Sequence, residues 1–114
     1  YPDRFCAVGG HSAALWRTAG ETAAGAFDDA ADFARNDVIA SAFADASIYA
    51  GRSVWLDAGD EDPFLPAIEN FEQALETAGV DLSAHTYPGG HDSEYWAQHW
   101  DEYLRFYAGA LSRC

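Results

Sequence analysis

The chain reads as an α/β domain in which parallel strands alternate with helices. Three observations predict it. Short apolar segments at 5–8, 53–57 and 80–87 have the composition of buried strands. Helical spacing fills the stretches between and after them, most clearly at Ile68, Phe71, Leu75 and Ala78. Each apolar segment also runs directly into a loop of Gly, Pro and polar residues, which is where a parallel sheet carries its functional groups.

Taken in order, Phe5 to Val8 is expected to be a short buried strand, with Cys6 as a buried free thiol. Gly9-Gly10-His11-Ser12-Ala13-Ala14 then has the small residues of a sharp strand-to-helix turn, with Ser12 at its apex. A helix is expected from Ser12 to about Thr18, and a weak strand at Ala23 to Phe27. Asp28 to Ala46 is helix-prone, capped by Asp28-Asp29, apolar at Phe33, Ile39 and Phe43, and broken at Asn36-Asp37. The strand Ser53 to Asp57 leads into the loop Ala58 to Pro63. Pro66 starts a helix that Gly79 stops. Val80 to Tyr87 is the third strand, ended by Pro88-Gly89-Gly90. The last helix spans Ser93 to Leu111, with Trp96, Trp100, Tyr103, Leu104, Tyr107 and Leu111 on one stripe.

With 114 residues the chain makes one domain, residues 1–114, with no internal boundary. It is 49% hydrophobic and 15% aromatic, enough for a packed core rather than disorder. No apolar run approaches the roughly 18 residues of a membrane span. No signal peptide is visible, and the chain opens on Tyr1. All six basic residues are Arg, and the net charge is −13, which repels nucleic acid and anionic membrane surfaces. Two cysteines define no disulfide framework, and Cys6 is not expected to pair with Cys114. The compartment, cytoplasmic or secreted, is left open.

Three polar residues fall just past the three strand ends: Ser12, Asp62 and His91. Serine, acid and histidine in that order suit nucleophilic catalysis. His91 would take the proton of Ser12, and Asp62 would orient the imidazole. The Ala13 N–H, at the start of the expected helix, would donate to an oxyanion. Asp57 competes with Asp62 for the acid. His85, His99 and His11 compete with His91, each with a packing or surface role as the alternative. Trp16 and Trp96 are candidates to line a substrate pocket, with core packing as the plainer role. Asp57-X-X-Asp60-X-Asp62 lacks the order and distal Glu of a calcium loop. His85, His91 and Asp92 lack a metal-binding pattern, so no metal or cofactor is expected.

These motifs, with Leu56 to Phe64, Tyr87 to Asp92 and Tyr95-Trp96, resemble the esterase D-like branch of the α/β-hydrolase fold. That branch includes S-formylglutathione hydrolases, bacterial acyl esterases and mycolyltransferases. The resemblance implies a serine carboxylic-ester hydrolase acting on a small ester or thioester through an acyl-enzyme, with Ser12, Asp62 and His91 as its triad. Ala14 departs from the Gly that ends the family's Gly-X-Ser-X-Gly. The family fold has strands before its elbow, so the resemblance implies that this is the carboxyl-terminal part of a longer hydrolase. The expectation is therefore weak or no activity alone, and self-association through an exposed sheet edge. The alternatives are an acyltransferase, a non-catalytic hydrolase-like interaction module, and a peptidase of the prolyl-oligopeptidase type.

Overall fold

The fold is built around one strand, Ser53–Gly59 (β2), every residue of which is buried. In the computed structural model, which describes residues 4–114, β2 is the centre of a three-stranded parallel sheet of order β1-β2-β3. Its neighbours are Ala7–His11 (β1) and Asp81–Tyr87 (β3). His11 lies opposite Asp57 and Asp57 opposite His85, so the carboxyl ends of all three strands share one edge. The first three residues of the predicted 1–114 domain fall outside the described residues.

Side chains alternate across β2. Val54, Leu56 and Ala58 face one way, into a core with Ile39, Ala42, Ile68, Phe71 and Leu75. That core belongs to the helices Val38–Ala44 (α2) and Leu65–Thr77 (α3). Trp55 and Asp57 face the other way, onto Tyr95, Tyr103 and Phe106 of Ser93–Leu111 (α4). A further helix, Ala30–Asn36 (α1), precedes α2. The two are separated at Asp37, whose carboxylate caps α2 by accepting from the N–H groups of Ile39 and Ala40. Asp29 caps α1 in the same way through Asp32 N–H.

The predicted third strand and last helix are present, the helix with its expected limits. Other expectations are corrected. β1 continues through both glycines to His11, and as an edge strand it leaves Val8, like Phe5 before it, exposed rather than buried. Glycine has low strand propensity, but a Cβ at Gly9 would run into the Tyr107 hydroxyl, so α4 can pack here only on glycine. No helix follows Ser12, and no strand forms at 23–27. After Ser12 the Leu15 N–H folds back to the Ala13 carbonyl at 2.8 Å, a tighter turn than a helix permits. Regular structure resumes only as a 3₁₀ turn at Ala19–Glu21. Phe43 is exposed, and Ala42 takes the buried position on α2. The aromatic stripe of α4 is largely uncovered at Trp100, Leu104 and Leu111; the residues it buries are Tyr95, Tyr103 and Ala110.

The cysteines also depart from expectation. Cys6 and Cys114 form a disulfide, 108 residues apart, with Cα atoms at 5.9 Å. It ties the approach to β1 to the chain just past α4. Sequence alone offered no sign that the two ends meet.

Candidate functional site

Asp62 is placed by two turns laced together. The Asp60 N–H donates to the Tyr87 carbonyl at 2.8 Å, and the Glu61 N–H to the Gly89 carbonyl at 2.9 Å. The Gly89 N–H returns a bond to Asp60 Oδ1 at 3.0 Å. A Cβ at Gly59 would collide with the Gly89 carbonyl, so only glycine lets the acid turn and the histidine turn approach this closely. This role of Asp60 was not read from the sequence.

The lacing brings Asp62 and His91 together. The Asp62 carboxylate is buried, accepts the Phe64 N–H at Oδ1 (2.8 Å), and meets His91 Nδ1 at Oδ2 (3.0 Å). The His91 side chain keeps 32% of its surface in solvent. Its ring lies edge-on between two aromatics, Phe64 at 5.0 Å and Trp96 at 5.3 Å. With Nδ1–H directed at the carboxylate, the other nitrogen, Nε2, carries the lone pair, and no hydrogen bond among the described residues uses it.

Ser12 also arrives here. It follows β1 with φ +56°, a left-handed conformation rare for a residue with a Cβ. Its N–H donates to the Asp57 carbonyl at 2.7 Å. Its hydroxyl donates to Asp62 Oδ2 and lies 3.2 Å from His91 Nδ1. The three predicted residues therefore converge. The arrangement is not a linear relay, however, because serine and carboxylate sit on the same imidazole nitrogen. Ser12 is also only 2% exposed, and the helix that would present it is absent. The Ala13 N–H consequently lacks the predicted helix N-terminus, although no hydrogen bond among the described residues occupies it.

The competitors are placed elsewhere. Asp57 faces α4, bonded to His11, Trp55, Tyr95 and Tyr103 rather than to His91. Burial pushes its carboxyl up, but these donors outweigh that and hold it below the ordinary carboxylate value. The Tyr95 and Tyr103 hydroxyls are pushed up, by burial and then by their bonds to that carboxylate. His85 stacks on Tyr87 and lies tilted against Trp55, and His99 stacks on Tyr87. Asp57, Asp60 and Asp62 point to three different partners, so they do not form a calcium loop. Among the described residues no cluster of three or more His, Cys, Asp or Glu could hold a metal ion, and no helix is long and apolar enough to cross a membrane.

Two hollows include the rings that touch His91, Phe64 in one and Trp96 in the other, although His91 itself lines neither. Trp16, Leu15, Arg17, Glu21 and Phe64 line a cavity of about 440 Å³. Trp96, Trp100, Leu104 and Tyr107 line an apolar groove of about 350 Å³.

A parallel sheet with a buried carboxylate and an open imidazole at the ends of adjacent strands defines an α/β-hydrolase-like protein. The family described as "Putative esterase" matches residues 1–107, and the chain belongs to it. Among solved structures, a ferulic acid esterase is similar, with a TM-score of 0.74 and 30% identity over 93% of this chain. The match covers 43% of that esterase, so the chain spans less than half its length. No curated protein matches the chain.

Proposed function

We propose that residues 1–114 carry the acid–base part of a carboxylic-ester hydrolase, with His91 as general base and Asp62 as the residue that orients it. One observation carries this reading. A buried, triply bonded carboxylate holds His91 Nδ1 at 3.0 Å, while Nε2 stays unbonded on a partly open ring. That is the tautomer a base needs to take a proton from an attacking hydroxyl and return it to the leaving group. Membership of the esterase family supports a small ester as substrate, and the similarity to a ferulic acid esterase agrees with ester chemistry. Trp96, against the His91 ring, and Trp16, one ring removed through Phe64, are the proposed lining for the acyl and leaving groups.

Two readings of the attacking group follow. In the first, Ser12 attacks and forms the acyl-enzyme, with the Ala13 N–H donating to the oxyanion. This requires His91 to move so that Nε2 faces the Ser12 hydroxyl. In the second, Ser12 is a fixed donor to Asp62, and a hydroxyl from outside residues 1–114 meets Nε2. The burial of Ser12, its bond to Asp62 and the missing helix favour the second.

A fluorophosphonate probe with peptide mapping separates them. Labelling of the intact protein that is lost in His91→Ala supports the hydrolase, and the labelled residue decides between Ser12 and a serine elsewhere. No labelling at mildly alkaline pH would overturn the hydrolase and favour a non-catalytic module. Residues 1–114 alone are expected to turn over a short-chain nitrophenyl ester weakly or not at all. They are also expected to self-associate through the open edge of β1 and the uncovered stripe of α4, which sedimentation would detect and Trp100→Glu would reduce.

A further inference from the structure

We infer that Asp57 and His11 are a positioning pair that sets the backbone of Ser12 and, through it, the alignment of Asp62 with His91. The pair lies outside the proposed acid–base chemistry, and its catalytic consequence rests on that hydrolase reading.

Asp57 is fully buried, and all four directions around its carboxylate are used. His11 Nδ1–H and Trp55 Nε1–H donate to Oδ1 at 2.9 and 2.7 Å. The Tyr95 and Tyr103 hydroxyls donate to Oδ2 at 2.7 and 2.8 Å. A buried carboxylate satisfied this fully is a rigid point, because any displacement leaves a donor or the charge unpaired. The same residue's main-chain carbonyl accepts the Ser12 N–H.

The rigid point is thus coupled to Ser12 twice. One link is that main-chain bond. The other is His11, the residue before Ser12, clamped between the Asp57 carboxylate and the Tyr107 hydroxyl, which donates to Nε2 at 3.0 Å. The His11 ring also lies on Tyr103, with centroids 3.7 Å apart. Local preference does not keep a serine at φ +56°; the tertiary bonds of its own N–H and hydroxyl and of the preceding His11 do. The Ser12 hydroxyl is the group that meets Asp62 and His91, so an angular error at Ser12 becomes a displacement at the site. This holds whichever hydroxyl attacks.

The test compares His11→Leu, which removes the Nδ1 donor, with His11→Asn, whose amide N–H can replace it. Tyr103→Phe serves as a milder variant that deletes one donor and keeps the ring. Amide hydrogen exchange is read at Ser12 and, as a reference for global opening, at Val54 and Leu56 of β2. The expected result in His11→Leu is exchange at Ser12 at least about tenfold faster relative to the β2 amides, recovering in His11→Asn, with Tyr103→Phe between them. Ester turnover in the intact protein should fall roughly 10- to 100-fold in kcat, with KM changed by less than about threefold. Ser12 and the β2 amides accelerating together, or Ser12 exchange unchanged, would overturn the inference and leave Asp57 a plain fold anchor. If the unmodified protein hydrolyses no ester while Ser12 exchange responds as expected, the positioning pair stands and the hydrolase reading alone fails.

Discussion

The two faces of β2 solve the same burial problem in opposite ways. Val54, Leu56 and Ala58 meet α2 and α3 through uncharged, mostly aliphatic contact. Trp55 and Asp57, interleaved with them, meet α4 through aromatic rings around a buried charge. The aliphatic face needs only volume and tolerates shape-conserving change. The charged face needs each donor in place, because a carboxylate in the interior is stable only while it is fully bonded. Stability is therefore spread over one face, and geometry is concentrated on the other, directly beneath the residues that reach His91.

Reducing the Cys6–Cys114 disulfide, which ties the approach to β1 to the chain just past α4, should cost up to about 4–5 kcal/mol on the loop-entropy account. Denaturant unfolding with and without reductant measures it. Ile68→Ala, on the aliphatic face, should cost about 2–5 kcal/mol and leave the His91–Asp62 pair aligned in the folded fraction, as the imidazole N–H resonance of His91 would report. Tyr103→Phe, on the charged face, should cost about 1.5–3 kcal/mol and disturb Ser12 as well. If these two variants disturb the site equally, the division of labour between the faces is wrong.

The pH dependence of stability sharpens the same contrast. The Asp57 carboxyl sits below its ordinary value in the fold, so the unfolded chain binds the proton more readily. The stabilisation is complete above the ordinary carboxylate pKa near ~4 and is lost as pH falls below it. Acid titration of the unmodified protein against Asp57→Asn should show that loss only in the former. Glu72 on α3 behaves oppositely. Burial, then Glu69 and Glu76, raise it to about 7. Its charge therefore weakens the fold as pH rises from the usual carboxylate range through neutrality. Glu72→Gln should raise the melting temperature at pH 8 more than at pH 4, an effect below about 1 kcal/mol.

The aliphatic face was legible in the sequence because its signals are local. The spacing of Ile68, Phe71 and Leu75, the caps and the break at Asp37 each act within a few residues. That an acid of the 58–63 loop and His91 share one sheet edge was legible from the order of strands and loops, which left Asp57 as a rival to Asp62. What escaped depends on partners far along the chain. The glycines of β1 read as a turn, because only the Tyr107 hydroxyl packed against Gly9 explains them as a strand. Asp57 read as a rival acid, because its four donors come from three separate elements. The α4 stripe read as core because periodicity reports an apolar face, not what covers it.

The account rests on Asp62 and His91 acting as one unit in ester hydrolysis, and a double-mutant cycle tests this most directly. The value of kcat/KM for a short-chain nitrophenyl ester is measured in the intact protein, in Asp62→Asn, in His91→Gln and in the double variant. The account predicts that each single change lowers it by about 100-fold or more and that the double variant is little worse than the poorer single one. Losses that multiply independently, or single variants that keep full activity, would contradict it.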